Sequence, residues 1–159
     1  MHINIIAVGK IKERFLQDGI AEYGKRLRPY VKVHIVELAD EKRPASAGAS
    51  IEAAAIGKEG ERICAAIPGG SFMIALDVRG VSWSSEDLAD AFREWELAGK
   101  SKVAFVIGGD LGLSPAVLSR SDLHLSLSPM TFTHPMARLI LLEQVYRAFR
   151  INGGEPYHK

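Results

Sequence analysis

The chain opens with an apolar run, HINIIAV at 2–8, closed by Gly9, the pattern of a strand buried on both faces. Over 12–27 the apolar residues Phe15, Leu16, Ile20, Tyr23 and Leu27 recur at helical spacing, and Pro29 stops the helix. VKVHIVEL at 31–38 alternates and predicts a second strand. DEKRPASAG at 40–48 reads as a loop, the one plausible flexible insertion in the chain. A helix is expected over 49–67, weakened by Gly57 and Gly60. SFMIALD at 71–77 predicts a third strand. The helix over 84–99 opens on Ser84 with Asp87 three residues on, like a capping box, and closes at Gly99. KVAFVIGG at 102–109 is a buried strand running into glycines. A short helix follows at 114–121 with Pro115 in its first turn, then a fifth strand at 123–128 and a last helix at 135–151. Strands alternating with helices predict an α/β fold, a parallel sheet with helices on both faces. No repeat or linker divides the 159 residues, so one domain is expected.

Composition changes this picture little. The apolar fraction is 47% and the charged fraction 25%, ordinary for a globular protein. No run resembles a signal peptide or approaches the roughly 20 apolar residues of a membrane span. One cysteine, Cys64, excludes an internal disulfide and a multi-cysteine metal site, and it reads as a buried, inert thiol. A reducing cytoplasm is the expected compartment. The net charge of +1 argues against a protein that coats nucleic acid. Its distribution is uneven: residues 1–32 carry seven cationic side chains against three acidic ones. That face can meet phosphates or can simply be a solvated helix surface.

In an open parallel sheet, ligands bind beyond the carboxyl ends of the strands. The ends to watch are Leu76-Asp77, IGGDLGLS at 107–114 and LSPMTFTH at 127–134. Gly108 and Gly109 leave their strand with no side chain in the way, which turn chemistry also explains. Neither G-x-G-x-x-G nor the Walker pattern is present, which disfavours a dinucleotide enzyme or an NTPase. On a helical wheel Arg138 stands in the apolar stripe of the last helix, near Leu142, Val145 and Phe149. A cation there needs an anionic partner. Either it serves a ligand, or it pairs structurally, with Asp77 or Asp110 as candidates, or it reaches out to solvent. LILL at 139–142 is apolar around more than one face and suggests a subunit interface. His134 precedes Pro135 at the helix start, and Tyr157 and His158 end the chain. Proton-handling groups therefore flank a helix expected to dock on the ligand-binding edge.

FVIGGDLGLS, LSLSPMTFTHPMARLILLEQVYRAF and the terminal PYHK, with AVGKIK and AEYGKRL near the start, resemble the RlmH family of bacterial 23S rRNA pseudouridine N3-methyltransferases. These belong to the SPOUT class of S-adenosylmethionine-dependent enzymes, and the resemblance spans nearly the whole chain. Thr133 stands where the pattern has proline. The resemblance implies a C-terminal trefoil knot, a homodimer, and the ribosome with its 23S rRNA as partner, with no DNA, membrane or metal. It implies S-adenosylmethionine held by the backbone at Leu76, Gly108, Leu127, Ser128, Pro129, Met130, Thr131 and Phe132. His134 is then expected to accept a proton or orient the substrate. Arg138 would clamp a phosphate or a uracil carbonyl, and Tyr157 and His158 would stack on or hydrogen-bond the target base. A methyltransferase for another RNA base and a non-catalytic nucleotide- or ribosome-binding module remain open alternatives.

Overall fold

The computed structural model describes residues Met1–Lys159. Its five strands are β1 (His2–Val8), β2 (Lys32–Leu38), β3 (Phe72–Ser82), β4 (Lys102–Ile107) and β5 (Leu123–Ser126). They form one sheet in the order β2-β1-β4-β3-β5, and every pairing is parallel. The helices are α1 (Arg14–Leu27), α2 (Ala49–Ala66), α3 (Ser85–Leu97), α4 (Pro115–Arg120) and α5 (His134–Asn152).

Successive strand residues point to opposite faces, and both faces of this sheet are covered. Ile3, Ile5 and Ala7 of β1 join Val103, Phe105 and Ile107 of β4 in the larger core, together with α3 and α5. Ile6 and Val8, with Ala104 and Val106, face the other way into a smaller core closed by Ile63 of α2 and Val117 of α4. Cys64 packs against this second core but is only half-buried, a correction to the full burial expected of it.

Two elements differ from the sequence pattern. The strand expected to end at residue 77 runs eleven residues, to Ser82. Its pairing with β5 shifts register between Leu76 and Val81. At Gly80 the two backbones pass so closely that a Cβ would stand 2.6 Å from the His124 carbonyl carbon. Asp77 and Arg79 interrupt the apolar run there, so no periodicity marks the extension. The second difference concerns LILL. Leu141 and Leu142 are fully buried inside the chain, and Leu139 packs on Gly19 of α1. Helix α5 lies against both α1 and α3, which accounts for part of its many-sided apolarity, while Leu139 and Ile140 stay half-buried.

Candidate functional site

The carboxyl ends of β3, β4 and β5 surround a cavity of about 950 Å³. Leu76 to Arg79 contribute from β3, Ile107 to Leu113 from the loop after β4, and Leu127, Ser128 and Met130 to Phe132 from the segment after β5. The first turns of α1 and α5 complete the lining with Phe15, Leu16 and His134. Of the residues expected to hold a donor, Leu76, Gly108, Leu127, Ser128, Met130, Thr131 and Phe132 meet here. Pro129 does not line the cavity.

The loop after β4 is tightly self-packed. Gly109 and Gly112 pair across it, and Gly112 has φ +84°, a conformation that favours glycine. A Cβ on Gly108 would stand 2.7 Å from the Gly112 carbonyl oxygen. The loop's own return therefore requires glycine at 108, the turn chemistry that the sequence allowed. The 40–48 segment, expected to be flexible, is tied to this loop: Arg43 donates to both carboxylate oxygens of Asp110, at 2.6 and 3.3 Å.

His134 begins α5 at the cavity wall. Its ring packs on Gly9, the residue that turns out of β1 at φ +91°, where a Cβ would come within 3.0 Å of Cε1. Nδ1 is buried with no hydrogen-bond partner. Burial, and next the Arg138 guanidinium one turn along α5, lower its pKa from the ordinary histidine value, although Asp110, Asp40 and Glu13 pull the other way. Burial and the Arg138 charge both favour the neutral ring.

Arg138 is 1% exposed and does not line the cavity. Its Nη1 donates to Glu37 Oε2 at 2.6 Å and its Nη2 to the Gly9 carbonyl at 3.1 Å. The anionic partner is Glu37, at the end of β2, rather than Asp77 or Asp110. A guanidinium so enclosed cannot grip a phosphate or a base, which corrects the clamp role expected for it. Nothing in the periodicity links residues 37 and 138; only the β2-β1 pairing brings Glu37 beside Gly9.

Tyr157 and His158 lie outside the cavity in a single chain. Gly154, at φ +64°, turns the tail back along α5. The Tyr157 hydroxyl donates to Glu143 at 2.9 Å and its ring meets Tyr146 edge-on at 4.9 Å. Burial, then the hydrogen bonds to Tyr23 and Glu143, push its phenol above the ordinary range. His158 contacts Glu86 through Nε2 at 2.8 Å and Arg147 through Nδ1 at 3.2 Å. Within one chain the tail is thus fastened to the side of α5.

A family model described as "Predicted SPOUT methyltransferase" matches residues 1–158. The chain belongs to the SPOUT methyltransferase family. A homologue from Methanoregula boonei is 62% identical over 159 residues, the whole of both chains. Ribosomal RNA large subunit methyltransferase H of Carboxydothermus hydrogenoformans is 54% identical, again over 159 residues and both full chains. The protein of that name from Clostridium botulinum is 55% identical over the same span. Among solved structures, one described as a probable methylase family protein from Haemophilus influenzae aligns with a TM-score of 0.54 at 16% identity, covering 99% of this chain and 70% of that one. That likeness supports the fold alone.

SPOUT methyltransferases take their methyl group from S-adenosylmethionine. The cavity fits such a donor: its volume lies at the upper end of the range for small-molecule sites, and it mixes apolar walls with the carboxylates of Glu13, Asp77 and Asp110. No group of three or more His, Cys, Asp or Glu side chains is arranged to hold a metal ion. Glu13 and Phe15 carry no signal of a site in the sequence. Asp77 and Asp110 follow the strand-end rule; Glu13 and Phe15 reach the cavity only through the placement of α1.

Proposed function

We propose that this protein, a single SPOUT domain spanning 1–159, transfers a methyl group to N3 of a pseudouridine in 23S rRNA. The observation that carries the reading is the position of the His134 imidazole at the wall of the strand-end cavity, where burial and the Arg138 charge favour its neutral form. The relatives named ribosomal RNA large subunit methyltransferase H support rRNA as the substrate class.

S-adenosylmethionine supplies an electrophilic methyl group on a cationic sulfonium. The main chain at Leu76, Gly108, Leu127, Ser128 and Met130 to Phe132 holds the donor. His134 accepts the N3 proton of the uracil-type ring, which leaves a nucleophilic nitrogen; a histidine kept neutral near pH 7 suits this step. Positioning of the two reactants contributes much of the remaining rate. Tyr157 and His158 serve the site through the fixed position of the tail.

The protein works as a cytoplasmic homodimer, with a C-terminal trefoil knot holding the donor segment. Exposed Phe15, Val78, Met130 and Phe132 around the cavity form an apolar rim that supports a second copy covering this face. No helix is long and apolar enough to cross a membrane.

The decisive experiment incubates the purified protein with radiolabelled S-adenosylmethionine and ribosomes from a strain lacking its own enzyme, then locates the label. Methyl on N3 of one 23S pseudouridine is the expected result; label elsewhere, or none, refutes the reading. His134→Asn is expected to retain donor binding and lose transfer.

A further inference from the structure

Three elements converge beneath His134. Gly9 turns out of β1, Glu37 lies next to the end of β2, and Arg138 lies one turn beyond His134 on α5. The His134 ring rests on Gly9, whose carbonyl accepts from Arg138 Nη2 at 3.1 Å. Arg138 Nη1 is in turn held by Glu37 Oε2 at 2.6 Å, an oxygen that also accepts from the backbone N–H of Ile11 at 3.3 Å. His134 itself makes no hydrogen bond through Nδ1, so its ring orientation is left to packing. The surface it packs on is the one that this ion pair ties down.

We propose that Arg138, anchored by Glu37 and clasping the Gly9 carbonyl, is the positioning residue that fixes the His134 ring at the cavity. The inference rests on the reading of His134 as the proton acceptor. Arg138 touches neither donor nor RNA. It acts by holding the turn against which the ring lies, and by placing a permanent positive charge one helical turn away. That charge opposes an imidazolium. The charged groups facing His134 from other elements, Asp110 after β4, Asp40 after β2 and Glu13 before α1, favour one. Arg43 already offsets Asp110, so removal of Arg138 leaves Asp40 and Glu13 as the main charges acting on the ring.

The expectations follow for three variants. Arg138→Met keeps the stem's packing and removes both the fork and the charge. Its kcat should fall by about a hundredfold with KM for donor and ribosome unchanged, the scale expected of a misplaced catalytic group. The acid limb of its pH profile should move to higher pH. Arg138→Lys restores the charge without the two-pronged grip. It should return the acid limb toward wild type while recovering only part of kcat. Glu37→Gln is the safeguard against misfolding, because the Glu37 side chain is 41% exposed. It weakens the anchor and should lower kcat at constant KM.

The test titrates carbon-13-labelled histidine by NMR in each variant, with the His134 resonance assigned by its loss in His134→Asn, alongside pH–rate profiles. The NMR titration reads His134 directly and does not depend on the reaction. A His134 titration unchanged in both Arg138→Met and Glu37→Gln, with both folded, overturns the clasp. Shifted titrations with wild-type turnover in His134→Asn support the clasp and refute His134 as acceptor. Titration midpoints that move together with the pH–rate profiles support both.

Discussion

At the scale of single residues, two positions set against each other what the fold demands and what chemistry needs. Glu59 on α2 is 4% exposed, with one carboxylate oxygen lacking any partner. It lies against Gly109, where a Cβ would stand 3.1 Å from Oε2. Burial, then the like charges of Asp110 and Asp40, raise its pKa above the ordinary carboxylate value. A group with a raised folded pKa contributes stability that is full below its unfolded pKa and lost as pH rises through the folded one. Wild type should therefore lose stability relative to Glu59→Gln as pH rises above the ordinary carboxylate range in urea unfolding. Parallel curves would show that Glu59 stays ionised. Gly108 carries the second prediction. Since a Cβ there meets the Gly112 backbone before any ligand, Gly108→Ala should lower Tm and donor affinity together. Lost affinity at wild-type Tm would restore a direct ligand approach as the reason for glycine.

At the scale of elements, the local rules were sufficient wherever the contacts they describe are local. The Ser84/Asp87 spacing predicts a capping box, and both bonds are present: Asp87 N–H to Ser84 Oγ at 3.0 Å, and Ser84 N–H to the Asp87 carboxylate at 2.8 Å. Ser84→Ala should cost about 1 kcal/mol in chemical denaturation, the usual value of an N-cap, and Asp87→Asn less. All ten elements are legible in the rhythm of apolar positions, as is the end of the sheet that holds the cavity. What escaped has one physical cause. The β3 extension, the Glu37–Arg138 pair and the fastening of Tyr157 to Glu143 each depend on contacts between residues far apart in sequence. The wheel placed Arg138 on the apolar side of α5 and required an anion. It had no means of choosing Glu37, which reaches Arg138 only because β2 pairs with β1 in register. The return of the tail was likewise hidden, since a Gly-Gly after a helix allows several exits and packing on Tyr146 selects one.

At the scale of the whole molecule, the site and its surroundings make opposite demands on solvent. The cavity opens between Phe15, 66% exposed, Met130, 76% exposed, and Val78, 52% exposed. Side chains of this size scattered singly over a surface need no explanation; gathered around one opening they constitute an apolar patch. A cationic donor and a polar base do not call for such a rim, whereas an interface does, because an interface core is depleted in charge and enriched in Met and aromatic residues. Leu139 and Ile140 of α5 stay half-buried in the single chain, and this rim is a further apolar surface able to support a dimer. Sedimentation equilibrium at micromolar concentration should give twice the chain mass of 17.4 kDa. Phe15→Glu combined with Met130→Asp should convert the protein to a monomer with little change in helix content, since both side chains are largely exposed in the single chain. Because those residues also border the cavity, the monomer should transfer methyl poorly even with the donor in excess. A dimer that persists in the double variant places the interface elsewhere, and a wild-type mass of one chain removes the homodimer altogether.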